Sequence, residues 1–236
     1  MGIYGGLQPE DSKYWGQFTT FKSNASELIA RAKQSGPIIY CSPLVDPYQP
    51  AERLRPHMPA ILEALIRNPP RIFVIQTRAP LVLRDLSLLQ ELARVTHLRI
   101  SFSVTTDREE VRKRYEAHCE ANHVRLDAIS QLREAGLEVY ATLAPLLPCH
   151  PEQLAEMAIG AAQRNLIGDP LHVRGAKPYG ATTRRVAFEI ARRYGECEWF
   201  NVAFQLEILE RIRRVAISAG FDLATGPQGF GLLARE

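Results

Sequence analysis

The sequence predicts an α/β protein built on a parallel sheet. Apolar runs of strand length are bounded by turn residues, and helical patterns lie between them at a spacing of roughly 30 residues. Strands joined by helices run parallel through right-handed crossovers, so the sheet forms a whole or partial barrel or an open, doubly wound sheet. With 236 residues, 46% of them hydrophobic, the chain can bury one large core, and we expect a single domain over residues 1–236.

Each element follows from local patterns. The segments with strand composition are 37–42, 71–77, 98–104, 137–145 and, with a weaker pattern, 170–175. Helical patterns span 24–35, 51–67, 83–95, 107–116, 122–135, 151–164, 181–194 and 200–219. Asn24 with Glu27 has the spacing of a capping box, Asp107 is placed to cap a helix, and Gly136 to end one. We expect an irregular lead-in over residues 1–22.

Composition excludes several protein classes. The chain has no run of about 18 apolar residues, and its start lacks the basic and apolar regions of a secretory signal. We therefore expect a soluble, cytoplasmic protein without a membrane partner. The formal net charge of +3 is too small to argue for a nucleic-acid partner, although it does not exclude one.

The cysteines and histidines do not predict a metal site. The four cysteines are far apart in sequence and include no CxxC or CxxxCxxC motif. The six histidines are scattered, and no pair has the spacing of a zinc protease. In a reducing compartment structural disulfides are not expected either.

The carboxyl ends of the predicted strands carry the candidate ligand site, because parallel sheets bind ligands there. The first of these loops, SPLVDPYQPAE, contains three prolines. Pro47 and Pro50 push Asp46 and Gln49 to extended geometry, which would hold the loop open. A rigid rim loses less entropy when it binds a ligand. Alternatively, the prolines only end one element and start the next.

Four segments in order resemble the radical S-adenosylmethionine proteins of the spore photoproduct lyase-like group. They are YCSPLVDPYQPAE, IQTRAPLVLRDLSLLQELA, RISFSVTT and RLDAISQLREAGLEVYATLAPLLPCHPEQL, and the resemblance covers roughly residues 14–160. It implies a partial TIM-like (β/α)6 barrel that binds S-adenosylmethionine across the strand ends, beside a four-iron four-sulfur (4Fe-4S) cluster. In such enzymes reductive cleavage yields a 5′-deoxyadenosyl radical, which abstracts hydrogen from the substrate.

The resemblance also implies which residues bind the cofactor. The matching positions are Asp46, Tyr48, Gln49, Thr77, Arg78, Ser103 and Pro145. Asp46 and Gln49 would meet the methionine ammonium, Ser103 the ribose or carboxylate, and the loop at Pro145 the adenine.

Three assignments keep two interpretations. Arg125 pairs either with a ligand carboxylate or with Glu116 in a structural ion pair. Tyr48 and Tyr140 would lie near the path of the radical, or Tyr140 would pack in the core. The arginines of the last two predicted helices form either a nucleic-acid-binding face or a solvated face.

The sequence departs from the family pattern at both ends. The CxxxCxxC loop and the first barrel strand have no counterpart, so we expect a barrel that is missing its first strand and a chain that makes no radical by itself. We expect the DNA upstream of the Met1 codon to continue in frame and to encode a strand followed by CxxxCxxC. Residues 170–236 follow the family only loosely, so the substrate is unassigned.

Three hypotheses about function follow. The chain is a radical S-adenosylmethionine enzyme whose front is missing from the sequence, or a non-catalytic relative that binds S-adenosylmethionine and has a regulatory role. The third hypothesis, a barrel enzyme with acid–base chemistry, would need paired carboxylates at strand ends, and only Asp46 is placed there. Whether the chain is an enzyme, a lyase for example, stays open at this point.

Overall fold

A six-stranded parallel sheet organises the protein in the computed structural model, which describes residues 38–41, 45–171 and 185–235. The strands are β1 (Ile38–Cys41), β2 (Ile72–Thr77), β3 (His97–Ser103), β4 (Glu138–Leu146), β5 (Leu166–Pro170) and β6 (Leu223–Thr225). Strand order follows chain order, and every neighbouring pair is parallel. The sheet is not closed, because β1 and β6 lie at its two edges. This architecture confirms the partial TIM-like fold.

Helices connect the strands. They are α1 (Ala51–Leu54), α2 (Met58–Arg67), α3 (Leu86–Ala93), α4 (Glu109–Tyr115), α5 (Asn122–Glu134), α6 (Pro151–Ala162), α7 (Arg185–Tyr194), α8 (Val202–Ser218) and α9 (Gly226–Leu232). The predicted helix 51–67 is two helices, because Pro56 disfavours the helical conformation at Arg55, whose φ is −136° and ψ 87°. Gly136 ends α5 as predicted: its φ is +82°, and Leu137 N–H bonds to Leu132 O at 3.1 Å.

Several other predictions are wrong or lie outside the described residues. The weak strand 170–175 is wrong, because β5 spans Leu166–Pro170; residues 172–175 lie outside the described ranges. Asp107 does not cap α4, since its carboxylate accepts hydrogen bonds from the backbone N–H and the ring Nδ1 of His150 at 2.8 and 2.7 Å. The lead-in 1–22, the helix 24–35 with its capping box, and residues 181–184 are also outside.

The two faces of the sheet differ in what covers them. The outer face packs against helices α2 to α6 and α8 in one large apolar core, to which β2 contributes Phe73 and Ile75. Alternate residues point to the opposite, inner face, where Ile72 and Val74 pack with Ile167 of β5. Among residues 38–41, 45–171 and 185–235, only the segment after β6 packs on this inner cluster from outside the sheet.

The C-terminal helix α9 covers the inner face near the amino ends of the strands. Phe230 and Leu233 pack on the apolar cluster of Ile72, Val74 and Ile167. Tyr40 donates its hydroxyl hydrogen to Phe230 O at 3.3 Å, and the Arg99 guanidinium donates to the carbonyls that end α9 at 3.1 and 3.2 Å. Within the described residues, α9 therefore leaves the carboxyl half of the inner face as the open part of the sheet.

Candidate functional site

Asp46 fixes the loop after β1 to the end of β2. Its Oδ1 accepts hydrogen bonds from Thr77 Oγ1 at 2.7 Å and from Tyr48 N–H at 2.9 Å, and its Oδ2 accepts Arg78 N–H at 2.8 Å. Both carboxylate oxygens therefore accept hydrogen bonds from groups of the protein itself. Asp46 positions the loop, while its contact with a methionine ammonium stays a prediction.

A second buried carboxylate, Glu52, anchors the far side of the same loop. Its Oε1 accepts the backbone N–H groups of His57 and Met58 at 2.8 Å each and an Arg84 guanidinium N–H at 3.0 Å. Arg84 also donates two bonds of 2.8 Å to Asp85 at the end of the turn after β2. Sequence reasoning missed Glu52, although an acidic residue in the first turn of a helix was a usable signal. Over its described part, 45–52, this loop is therefore held by two carboxylates in addition to its prolines.

Tyr48 points into the core beneath this loop. Only 1% of the residue is exposed, and the Arg84 guanidinium carbon lies 5.9 Å from the ring centroid. Burial, followed by the charge of Asp85, raises the pKa of the Tyr48 hydroxyl above its usual value. A protonated, buried phenol supports the loop from below, so a direct role of Tyr48 in cofactor binding stays a prediction.

Glu116 joins two guanidinium groups at the ends of β2 and β3. Arg125 Nη1 lies 2.7 Å from Glu116 Oε2, and the Arg78 guanidinium bonds to Glu116 Oε1. Burial would raise the pKa of Glu116, but the charges of Arg125 and Arg78 hold it below its usual value. Arg125 is completely buried and also donates to Ser103 O at 3.1 Å. Arg125 is therefore part of a structural ion pair with Glu116. Arg78, the other partner of Glu116, has 35% of its side chain exposed.

Uncharged polar side chains follow one another across the carboxyl half of the inner face. Gln76 of β2 lies beside Ser101 of β3, and Ser103 lies beside Thr142 of β4. Ser101 Oγ and Thr142 Oγ1 hydrogen-bond to each other at 2.6 Å and are buried. Gln76 is half-buried and was missed by sequence reasoning, although a glutamine within the apolar strand IFVIQT was a signal for it.

Three side chains at this edge are available to a ligand. Within the described ranges, the side chains of Gln49, Gln76 and Ser103 make no hydrogen bond, and all three residues are partly exposed. Pro145 lies near the carboxyl end of β4, where the register with β5 is irregular between Leu143 and Leu146. Amide and hydroxyl groups of this kind can donate to and accept from a polar ligand. The structure brings the predicted positions Gln49, Ser103 and Pro145 to one edge together with Gln76, and their contact with a cofactor stays a prediction.

Tyr140 lies on the inner face of β4, beside Ser101 of β3. Its ring packs on the inner-face cluster but is only partly buried, and its hydroxyl donates to Glu138 Oε1 at 2.6 Å. This packing favours the core interpretation, while a place near the path of the radical stays a prediction.

The cysteines of this chain do not fit an iron–sulfur cluster. Within the described residues, no three Cys, His, Asp or Glu side chains are grouped as metal ligands. All four cysteines are free thiols in separate parts of the fold: Cys41, Cys119, Cys149 and Cys197. A 4Fe-4S cluster requires thiolates that converge on it.

The basic residues of α8 are largely paired. Arg211 makes two bonds of 2.7 and 2.8 Å to Glu152, and Arg213 lies 2.9 Å from Glu210. This pairing agrees with a solvated face rather than a nucleic-acid surface. Over the part of the chain that the structure describes, no helix is both long and apolar enough to cross a membrane.

Sequence comparison finds relatives of undetermined function. No protein-family model matches the chain. The uncharacterized protein Rv2578c of Mycobacterium tuberculosis is 30% identical over 137 residues, which are 56% of this chain and 40% of the relative. The uncharacterized protein ORF301 of Acidianus two-tailed virus is 30% identical over 175 residues, 68% of this chain and 56% of the relative. The chain thus spans about half the length of the curated relatives that it matches.

Solved structures of spore photoproduct lyase share the fold. The complex with dinucleoside spore photoproduct superposes with a TM-score of 0.59 at 14% identity, covering 86% of this chain and 67% of that chain. A doubly substituted mutant with bound AdoMet and dinucleoside spore photoproduct gives a TM-score of 0.57 at 14% identity, covering 85% and 66%. At this identity the likeness shows the fold alone.

Proposed function

We propose that this chain is the S-adenosylmethionine-binding part of a radical S-adenosylmethionine protein of the spore photoproduct lyase-like group. The observation that carries the proposal is the arrangement at the carboxyl ends of β1, β2 and β3. There Asp46 holds a stiff loop in place beside the unpaired side chains of Gln49 and Ser103. The substrate is not assigned.

The chemistry of the ligand matches these groups. S-adenosylmethionine carries an ammonium, a carboxylate, ribose hydroxyls and an adenine, and each needs a hydrogen-bond partner when it leaves water. The amide of Gln49 and the hydroxyl of Ser103 can serve both donors and acceptors, and the half-exposed guanidinium of Arg78 can face a carboxylate. The similar fold of a lyase structure that holds AdoMet supports the same location.

We assign no radical step to the residues of this chain. Its four cysteines lie apart, and they do not fit the cluster on which that chemistry depends. For this chain the proposal is therefore ligand binding and orientation, and the wider activity belongs to a protein that also supplies the cluster ligands.

A second candidate function is a non-catalytic relative that binds S-adenosylmethionine and regulates a partner. The separated cysteines favour it. Both candidates predict ligand binding. They differ in iron chemistry, because only the enzyme requires three converging thiolates from some part of the whole protein.

Calorimetric titration with S-adenosylmethionine tests the proposal. We expect weak binding by the wild type and a loss of about fivefold in affinity for Gln49→Ala and Ser103→Ala, because each removes one hydrogen bond worth about 1 kcal/mol. Gln131→Ala is the matched control, since Gln131 is exposed near the C-terminal end of α5, which leads into the amino end of β4. No binding by the wild type would contradict the proposal, and equal affinity of all variants would remove both residues from the site.

A further inference from the structure

The open half of the inner face has no charged side chain on β2 or β3. On β2, β3 and β4 its polar positions are Gln76, Ser101, Ser103 and Thr142, and the buried Asp169 follows on β5. Ser101 and Thr142 satisfy each other at 2.6 Å, which leaves Gln76 as the largest polar group on these two strands without a partner. Since binding sites match the polarity of what they hold, we expect the ligand group that contacts β2 and β3 at this half of the face to be neutral and to form hydrogen bonds.

Gln76 is held in a fixed position. It lies on β2, between β1 and β3, and its neighbours Ile75 and Thr77 are buried. The backbone is fixed by the strand ladder, so the half-buried carboxamide has only its own torsions to lose on binding. That carboxamide presents a donor and an acceptor side by side, which is the geometry that pairs in a bidentate manner with the edge of a nucleobase.

Aromatic rings lie below Gln76 on the same face. Tyr40, Tyr140 and Phe230 surround the apolar cluster of Ile72 and Val74, and each is only partly buried. Tyr40 is in register with Val74, one inner-face position before Gln76. Partly exposed aromatic rings next to the side-chain amide of Gln76 suit a flat heterocyclic ligand, because the faces of such a ligand stack on aromatic rings and its edge forms hydrogen bonds.

We propose that Gln76 recognises the edge of a nucleobase through two parallel hydrogen bonds. This inference rests on the proposed function and deepens it by naming the ligand class. Two sources share the chemistry, namely the adenine of S-adenosylmethionine and a base of a nucleic-acid substrate. Gln76→Leu keeps the size of the side chain and removes both hydrogen bonds, whereas Gln76→Glu keeps an acceptor and loses the N–H donor. Gln131→Leu, at an exposed position near the C-terminal end of α5, is the matched control.

The test measures the affinity of each variant for two probes, S-adenosylmethionine and the dinucleotide thymidylyl-thymidine, by calorimetry. We expect Gln76→Leu to weaken the binding of one probe by about tenfold, as the loss of a bidentate pair predicts, and Gln131→Leu to leave the affinity for both probes unchanged. Loss for the first probe alone assigns Gln76 to the adenine, and loss for the second assigns it to a substrate base.

Other outcomes separate the two proposals. In one outcome the wild type binds S-adenosylmethionine, and Gln76→Leu and Gln76→Glu bind both probes with the affinity of the wild type. This outcome overturns the role of Gln76 and leaves the proposed function intact. If the wild type binds neither probe, both the proposed function and the role of Gln76 are overturned. If Gln76→Leu does not fold, Gln76→Glu and the side-chain amide NMR signals of Gln76, which must shift when the probe binds, decide the question.

Discussion

Substitution of Gly229 by alanine tests whether α9 is packed against β6 as tightly as the structure has it. A Cβ atom at Gly229 would lie 2.8 Å from both the carbonyl carbon and the oxygen of Ala224, and 3.3 Å from Ile167 Cγ2. Backbone atoms of a strand cannot move aside cheaply, so we expect an overpacking cost of about 1–3 kcal/mol. Gly231, in the same helix, has no atom within 4 Å of the corresponding position.

Because both substitutions gain a similar helix propensity, of up to about 1 kcal/mol, their difference isolates the cost of overpacking. We expect Gly231→Ala to be neutral or stabilising and Gly229→Ala to be less stable than Gly231→Ala by about 2 kcal/mol. Urea unfolding, followed by circular dichroism and tryptophan fluorescence, measures both free energies of unfolding. Equal stability of the two variants, or a more stable Gly229→Ala, would refute the close approach of α9 to the sheet.

Four further predictions concern the buried charges, the reactivity of the thiols and the iron–sulfur cluster. Arg125→Met should lower the free energy of unfolding by about 3 kcal/mol, because it leaves the buried Glu116 with one partner fewer. Arg211→Met, which breaks an exposed ion pair, should lower it by less than about 1 kcal/mol. Urea unfolding measures both values, and equal losses would contradict the prediction. The pKa of Glu116 is depressed in the native state, so its stabilisation is complete above the unfolded pKa of about 4.3 and is lost as the pH falls through the lower native value. Stability measured from pH 6 to pH 3 should therefore fall more steeply for the wild type than for Arg125→Met. A thiol reagent at pH 7 should modify the exposed Cys197 in the native protein but Cys149 only after unfolding, because Cys149 is buried and burial raises the pKa of its thiol. Mass spectrometry measures the labelling. Labelling of Cys149 in the native protein as fast as that of Cys197 would disprove the prediction. Anaerobic reconstitution with iron and sulfide should leave this 236-residue chain without a stoichiometric 4Fe-4S cluster by optical and EPR spectra, and a retained cluster would show the opposite.

The first four strands could be located from sequence because their signal is local. Each is an apolar run bounded by turn residues, and the observed strands β1 to β4 lie within about one residue of the predicted ends. The fifth strand was misplaced at 170–175, and β6 was not predicted. β5 contains Gly168, Asp169 and Pro170, and β6 is only three residues long, so neither has the composition of a typical strand.

The candidate site was predicted in part. Strand ends can be counted along the chain, so Asp46, Thr77 and Ser103 were found at one edge of the sheet. Glu52 and Gln76 were missed. Whether a polar side chain turns to the helices, to the loop or to the inner face depends on the partners that the fold supplies, such as Arg84 for Glu52.

The sequence by itself determined the parallel α/β architecture, the stiff loop after β1 and the scattered cysteines, because propensity, proline geometry and spacing are properties of neighbouring residues. Only the tertiary structure decided that Asp46 bonds within the protein, that Arg125 pairs with Glu116, and that α9 covers the amino half of the inner face. These results depend on contacts between residues far apart in the chain. Such contacts form only where burial and the ladder of parallel strands bring distant groups together, and no local pattern encodes the outcome.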